Sequence, residues 1–203
     1  MNPLRQLDDR LLLAINSFAR HTGWLHAPFL AFAKYGPILF GLLLLAGVLI
    51  SRNDQARVLA AAGWACIATL VAVGLNQPVG HIFAEARPYV THPQMLRLAD
   101  VTTDFSFPSD HAVMAGAVAA GLLLVNRRLG LLAVLVGALM AFTRVYIGAH
   151  YPWDVVAGLA FGAALVLLGW LLLHHPLTNL TAWLRRRPGL RAVFAEGQSL
   201  VQV

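Results

Sequence analysis

The sequence predicts an all-α membrane protein, a bundle of five transmembrane helices preceded by an amphipathic helix. Of its 203 residues, 59% are hydrophobic and only 12% are charged, and the mean hydropathy is +0.68. The apolar residues form long blocks that suit a hydrocarbon layer about 30 Å thick. Long apolar blocks with so little charge are typical of integral membrane proteins. We expect residues 1–203 to form one membrane-embedded domain.

The hydrophobic pattern places each element in turn. Residues 3–20 alternate apolar and charged side chains at helical spacing, so this amphipathic helix either lies in the membrane interface or crosses the membrane as a sixth span. The five predicted spans are residues 29–50, 58–75, 112–125, 131–142 with its flanks, and 155–173. Residues 174–203 are predicted to form a basic cytoplasmic tail. A cleaved signal peptide is not expected, because polar residues soon interrupt the first apolar run.

The polar segments divide between the two sides of the membrane. The segments 51–57 and 126–130 and the tail are rich in arginine and fall on one side by the parity of the spans, and positive-inside bias makes that side cytoplasmic. The net charge of +6 therefore indicates topology rather than nucleic-acid binding. The long polar connection 76–108 and the segment 143–154 then share the outer face. A connection this long is uncommon without a function or some structure of its own.

The segment 143–154 carries a cation, an imidazole and a carboxylate in close order. Pro152 predicts a helix start, since proline favours the first helical position, and Asp154 then lies in the first turn and can reach back to His150. Arg144 closes the preceding span, and Gly148 lets the chain turn. A carboxylate against an imidazole would fix the ring tautomer and leave the other nitrogen free as a base or nucleophile. The alternative is that the charged residues are only interfacial anchors.

The segment before the third span forms a second candidate. With Pro108 at the first helical position, Ser109 and Asp110 would lie in an opening turn whose N–H groups have no helical partners, which favours an anion. His111 could present its ring to a leaving-group oxygen. Capping alone would also explain Ser109 and Asp110, but not His111.

Arg87, in the long connection before Pro88, forms a third candidate. Its guanidinium offers a planar fork of donors that suits phosphate oxygens. The alternative is an arginine that extends its charge to the membrane interface.

Together these segments resemble the three-part signature of the type 2 phosphatidic acid phosphatase superfamily. That signature is a Lys followed later by Arg-Pro, then Pro-Ser-Gly-His, then Ser-Arg with a His and an Asp downstream. The resemblance covers roughly residues 76–155 by motif and the whole chain by its span pattern. The matching residues are Arg87-Pro88, Pro108-Ser109-Asp110-His111, Arg144, His150 and Asp154.

The chain departs from this pattern at three positions. Gly80 stands where the leading lysine would be, Asp110 replaces the glycine, and Thr143 replaces the serine. The Pro-Ser-Asp-His form, with Asn76-Gln77 ahead of Arg87, is similar to the bacterial undecaprenyl-diphosphate phosphatase branch. The missing lysine leaves one phosphate contact unassigned.

The resemblance implies a role for each matched residue. His150 would be the nucleophile that forms a phosphohistidine, Asp154 would orient it, and His111 would protonate the departing lipid phosphate and then activate water. The resemblance implies no metal and no cofactor. The oxygens of the transferred phosphate would be held by Arg87, Arg144, Ser109 and the backbone near Ser109 and Asp110.

The sequence does not favour a metal site. A zinc site would need His81 and His92 together with the motif histidines, but no pair of these has helical i,i+3 or i,i+4 spacing. The single cysteine, Cys66, excludes an intrachain disulfide and a cysteine-based cluster.

The expected substrate is undecaprenyl diphosphate in a bacterial inner membrane, with the active site on the outer face, no nucleic-acid partner and an oligomeric state left open. Phosphatidate, phosphatidylglycerophosphate and lipid A are enzymatic alternatives. A small transporter is the alternative from another class, and it predicts ionisable residues at different depths in the spans. Here only Lys34 lies well inside a clear span, which favours the enzyme.

Overall fold

The computed structural model describes residues 3–187, and within that range every regular element is a helix. The elements are α1 (Pro3–His21), a 3₁₀ turn (Gly23–Leu25), α2 (His26–Ser51), α3 (Ala56–Phe83), α4 (Pro88–Thr91), α5 (Asp110–Val125), α6 (Arg127–Tyr146) and α7 (Pro152–Arg185). Among the described residues, four helices are long and apolar enough to cross a membrane by length and composition, namely α2, α3, α6 and α7. The predicted class, an all-α multi-pass membrane bundle, is confirmed.

The short helix α5, which is the predicted third span, lies at the centre of the bundle. It has 16 residues and would be roughly 24 Å long at about 1.5 Å per residue. One face packs on Phe40 and Met140 of α2 and α6, and another packs on Ala68 of α3 and Val166 of α7. A helix that is hydrophobic on all sides is buried, and α5 follows that rule because neighbouring helices cover it.

Glycines allow α5 and α7 to pack almost backbone to backbone. A Cβ atom added at Gly162 would lie 2.0 Å from the Val113 carbonyl oxygen, and one added at Gly116 would lie 2.1 Å from the Leu159 carbonyl oxygen. Gly158 and Gly162 form a small-xxx-small pair, which is typical of close helix contacts in membranes. This contact fixes the N-terminal ends of α5 and α7 beside each other.

The polar connection begins later than the sequence predicted. Residues 76–83 continue α3, which ends only where Ala84 adopts a left-handed conformation with φ of 47°. The prediction was wrong here because it equated polarity with a loop. Asn76 and Gln77 are polar because they donate hydrogen bonds to Asp110 on the neighbouring α5.

The predicted tail is partly helical, since α7 runs to Arg185, and residues 188–203 lie outside the described part of the chain. The Arg185 guanidinium donates to the Arg52 carbonyl oxygen at 3.0 Å. The end of α7 and the arginine-bearing loop after α2 therefore lie at the same end of the bundle, as the parity of the spans predicted.

The amphipathic helix α1 is confirmed, and by length and composition it is not among the helices that could cross a membrane. Leu12 is fully buried against Ala112, Tyr151 and Val155. The Asn16 side chain donates to the Leu96 carbonyl at 2.7 Å and accepts from the Leu96 N–H at 3.0 Å. Helix α1 therefore holds part of the connection between α4 and α5 in place.

Candidate active site

A cavity of about 580 Å³ opens at the end of the bundle where α5 begins and α6 ends. Its wall combines residues from α2, from the connection after α3, from the first turn of α5 and from the last turn of α6. These elements are distant in sequence, and only the packing of the helices brings them together. The polar residues of the wall are Lys34, Arg87, Asp100, Thr102, His111 and Arg144.

Arg87 is held rigidly at one side of this cavity. It precedes Pro88, the first residue of α4, and its side chain is 7% exposed. Its Nη2 atom donates to the Asp104 carboxylate at 2.9 Å, and its Nη1 atom donates to the Ala149 carbonyl at 2.9 Å. These contacts aim the same Nη1 atom at His150 Nε2, which lies 3.3 Å away. The guanidinium therefore lies directly beside the ring nitrogen that could act as a nucleophile.

The ring of His150 is oriented by a backbone carbonyl. Its Nδ1 atom lies 2.8 Å from the Ser106 carbonyl oxygen. Because a carbonyl can only accept, Nδ1 carries the proton and Nε2 presents a lone pair. Gly148, with φ of +77°, makes the turn that places His150 between α6 and α7, as the sequence predicted. The contact with Ser106 was not predicted, because a backbone acceptor leaves no signal in a sequence.

Asp154 supports His150 less directly than the sequence predicted. Pro152 does begin α7, and Asp154 lies in its first turn. The carboxylate lies 3.4 Å from His150 Nδ1, but its hydrogen bonds come from the Ser106 hydroxyl and, at 2.9 Å, from the Tyr151 N–H. Asp154 therefore fixes the segment that carries the Ser106 carbonyl and places a negative charge near the ring.

Electrostatics keep His150 neutral. Burial, together with the nearby Arg144 and Arg87 guanidinium groups, lowers the pKa of His150 well below its ordinary value. The neighbouring Asp104 stays ionised. Burial by itself would raise the pKa of Asp104, but hydrogen bonds from Thr102 and Arg87 outweigh this effect and hold the pKa below its ordinary value. The site thus combines a neutral imidazole with fixed cations, an arrangement suited to attack on an anionic phosphorus centre.

The start of α5 differs from the prediction by two residues. Helix α5 begins at Asp110, Ser109 is its N-cap and Pro108 precedes the cap. The Ser109 N–H donates to the Asp154 carbonyl at 3.2 Å, which ties the starts of α5 and α7 together. The N–H groups in the opening turn of α5 have no partners within the helix, which favours an anion there.

Three buried donor atoms at this end of the bundle have no hydrogen-bond partner within residues 3–187. They are Ser109 Oγ, Thr143 Oγ1 and Arg144 Nε. A buried donor without a partner costs about 1–3 kcal/mol, so such atoms mark places where a ligand could supply the partner. Arg144 also lines the cavity. The arrangement suits an anion whose oxygens accept hydrogen bonds from several directions.

The Asp110 carboxylate does not line this cavity, and the predicted contact of the Asp110 backbone with phosphate stays a prediction. It accepts from Asn76 Nδ2 at 2.7 Å and from Gln77 Nε2 at 3.0 Å. It lines a separate cavity of about 270 Å³, together with Gly80 and His81. The α3 amides satisfy the carboxylate there. Only the Asp110 backbone N–H can serve the anion site.

The wall that α2 contributes was not predicted. His111 and Ala33 both line the 580 Å³ cavity. Lys34 follows Ala33 in the chain and lines the same cavity. Its position inside a span was the one signal in the sequence.

The other histidines stay apart from this wall. His81 packs edge-on against Phe105 with ring centroids 5.3 Å apart, and His92 Nε2 lies 3.7 Å from an Asp9 carboxylate oxygen. Within residues 3–187, no three His, Cys, Asp or Glu side chains form a group that could hold a metal ion.

The chain belongs to the PAP2 superfamily, whose family model matches residues 61–176. It is a multi-pass membrane phosphatase. It is similar to the undecaprenyl-diphosphatase BcrC of Bacillus subtilis (strain 168), with 32% identity over 153 residues that cover 75% of this chain and 77% of that protein.

Two solved structures share the fold. The crystal structure of Aquifex aeolicus LpxE superposes with a TM-score of 0.60 and 26% identity, over 80% of this chain and 93% of that chain. A PAP2-type phosphatidylglycerolphosphate phosphatase from Bacillus subtilis gives a TM-score of 0.62 at 19% identity, over 92% and 90% of the two chains. The helical arrangement that carries the site is therefore that of transmembrane PAP2 proteins.

Proposed function

We propose that this protein hydrolyses undecaprenyl diphosphate to undecaprenyl phosphate and inorganic phosphate, and so returns the carrier lipid to cell-wall synthesis. The observation that carries the proposal is the His150 imidazole, whose Nε2 lone pair lies 3.3 Å from Arg87 beside a cavity lined by Arg144 and His111. The similarity to a protein named undecaprenyl-diphosphatase supports this choice of substrate.

In the first step, His150 Nε2 attacks the terminal phosphorus. A P–N bond forms, the bond from phosphorus to the bridging oxygen breaks, and undecaprenyl phosphate departs with a proton from His111. Arg87, Arg144 and the opening N–H groups of α5 stabilise the charge on the equatorial oxygens. Asp154 stabilises the positive charge that develops on the ring.

In the second step, water attacks the phosphohistidine. His111 accepts a proton from the water, the P–N bond breaks, and inorganic phosphate leaves with His150 restored as a neutral imidazole. The positive charge comes from arginine side chains and a helix terminus throughout. We therefore propose that the reaction needs no metal ion.

The site is proposed to face the outside of a bacterial inner membrane. The arginine-bearing loop after α2 and the end of α7 lie together, opposite the cavity. Positive-inside bias assigns that arginine-rich end to the cytoplasm and the cavity to the outer face.

The test is phosphate release by the purified full-length chain from a panel that contains undecaprenyl diphosphate, phosphatidate, phosphatidylglycerophosphate and lipid A. We expect the highest kcat/KM with undecaprenyl diphosphate and no loss of activity in excess EDTA. Arg144→Gln should abolish most activity, whereas Arg97→Gln, which removes a charge that lies over the Tyr89 ring at 5.6 Å, should retain it. A higher kcat/KM for another lipid would overturn the substrate, and activity that returned only with added metal would overturn the mechanism.

A further inference from the structure

We propose that Lys34 binds the lipid-linked phosphate of a diphosphate substrate, the phosphate that departs with the lipid, and so makes the site selective for diphosphates over monophosphates. This inference rests on the proposed function and deepens it. It comes from the α2 wall of the cavity, which no sequence motif of the site includes.

Lys34 is the only lysine among 203 residues, and every other basic side chain, apart from histidine, is an arginine. It lies inside the apolar helix α2, where a charged residue is costly and usually has a functional reason. It lines the same cavity as Arg87, His111 and Arg144. A lysine at this point of the cavity wall therefore suits an anionic ligand.

The protein itself supplies no such partner in the part described. Within residues 3–187, Lys34 forms no ion pair with a carboxylate. Asp100, the acidic residue that lines the same cavity, forms no ion pair with Lys34. The Lys34 Nζ atom lies 5.4 Å from the centre of the Tyr35 ring, and the side chain is exposed towards the cavity. The ammonium is thus available to a ligand.

The position of Lys34 along the cavity indicates which part of the ligand it binds. Arg87 and the Ala149 carbonyl lie beside His150, where the terminal phosphorus would be attacked. His111 lines the cavity together with Lys34 and with Ala33, the residue before it. The proton donor for the bridging oxygen and the ammonium therefore lie on the same wall. Beyond the bridging oxygen, a diphosphate carries a second phosphate, and a lipid monophosphate carries only carbon.

The chemistry favours a lysine at this point. When the bridging bond breaks, negative charge builds on the lipid-linked phosphate, and an ammonium beside it stabilises that charge. Leu30 lies one helical turn from Lys34 and lines the same cavity, which gives the first carbons of the lipid an apolar contact.

The test compares farnesyl diphosphate with farnesyl monophosphate, which share one prenyl tail and differ only in the second phosphate. Lys34→Gln should lower the ratio of kcat/KM for the diphosphate to kcat/KM for the monophosphate by about 10- to 100-fold, the range of a lost charge-assisted hydrogen bond. Lys34→Arg keeps the charge and should hold this ratio within about threefold. Arg57→Gln, at the opposite end of the bundle, is the matched loss of charge and should leave the ratio unchanged.

Each contrary result has a clear meaning. A ratio that stays constant in Lys34→Gln overturns the inference, whether both rates fall together or neither changes. The same fall of the ratio in Asp100→Asn would also overturn it, since Lys34 would then act through that carboxylate on the cavity wall. Failure of the wild-type chain to hydrolyse undecaprenyl diphosphate in the lipid panel would instead remove the proposed function.

A second measurement does not depend on the folding of a variant. Because the chain has one lysine, an amine-acylating reagent can modify only Lys34 and the N-terminal amine, and peptide mass spectrometry separates the two. Inorganic pyrophosphate should protect Lys34 at lower concentration than inorganic phosphate does, with the N-terminal amine as reference. Equal protection by the two anions contradicts a second phosphate at Lys34.

Discussion

At the scale of single residues, the site depends on which nitrogen of His150 carries its proton. The Ser106 carbonyl holds the Nδ1 proton, and Arg87 approaches the opposite nitrogen. Asp154 fixes the Ser106 side chain and the Tyr151 N–H, so it acts on the imidazole mainly through the backbone around it. The proposed role of His150 leads to two predictions about the chemistry.

The first prediction separates the two histidines. His150→Ala should abolish turnover and the covalent phosphoenzyme, because it removes the proposed nucleophile. His111→Ala should lose about 10²- to 10⁴-fold on a lipid diphosphate, since that leaving group needs a proton, and should still form phosphoenzyme from p-nitrophenyl phosphate, whose leaving group does not. The measurement is alkali-quenched labelling of each variant with both substrates. Phosphate trapped by His150→Ala, or an equal loss on both substrates in His111→Ala, would show that the roles are assigned wrongly.

The second prediction concerns pH. The pKa of His150 is depressed, so its imidazole stays neutral and reactive until the pH falls well below the ordinary histidine range, where protonation removes the lone pair. The acid limb of kcat/KM should therefore lie below that range. Arg144 is one cause of the low pKa, so Arg144→Gln should raise it and move the limb to higher pH. The dependence of kcat/KM on pH is measured for the wild-type chain and for Arg144→Gln with the same aryl phosphate. Arg97→Gln serves as the control. A limb that moved to lower pH in Arg144→Gln would contradict the assignment.

At the scale of helices, the contact between α5 and α7 sets the geometry of the site. The Ser109 N–H binds the Asp154 carbonyl, and a Cβ atom at Gly158 would lie 2.8 Å from the Ser109 carbonyl oxygen. The two helices that carry the anion site and the carboxylate are therefore joined through backbone atoms. Any side chain added at this contact must push them apart.

The third prediction tests this contact with matched glycines. Gly162→Ala places a methyl group 2.0 Å from the Val113 carbonyl and should destabilise the protein by about 1–3 kcal/mol or more, with loss of activity. Gly63→Ala, where a Cβ atom meets nothing within 4 Å, should be neutral or gain about 0.5–1 kcal/mol from helix propensity. Thermal melting of the detergent-solubilised variants gives both shifts. Equal melting midpoints would show that α5 and α7 are not in close contact.

At the scale of the whole molecule, the distribution of arginine predicts orientation in the membrane. The loop after α2 and the end of α7 meet through Arg52 and Arg185, whereas the cavity lies at the other end. The Asn126 side chain caps α6 by accepting from the Arg128 and Leu129 N–H groups, so a substitution there would disturb a helix. The exposed Asn53 is a better probe of the same end.

The fourth prediction concerns which end of the bundle faces the outside of the cell. The probes are single cysteines introduced into a Cys66→Ala variant, which lacks the native thiol. A cysteine at Gln94, which is exposed in the connection between α4 and α5, should react with a membrane-impermeant thiol reagent in intact cells. A cysteine at Asn53 should react only after the membrane is permeabilised. The opposite pattern would place the active site in the cytoplasm and overturn the proposed role in recycling a carrier lipid outside the cell.

The sequence by itself determined what depends on local pattern. Apolar blocks specified the helices, and arginine-bearing loops distinguished the two ends of the bundle. Pro152 specified a helix start and Gly148 a turn, because both follow from backbone sterics at those positions. It also placed His150, His111 and Arg144 in segments that parity brings to one end.

Only the tertiary structure decided which groups face one another. The Ser106 carbonyl was invisible because backbone atoms are the same in every residue. The partners of the Asp110 carboxylate could not be predicted, because the amides that bind it belong to α3. Lys34 lines the cavity because α2 packs beside α5. Each of these depends on the rotation of one helix against another, which the close glycine contacts and the burial of α5 fix only when the whole bundle is assembled.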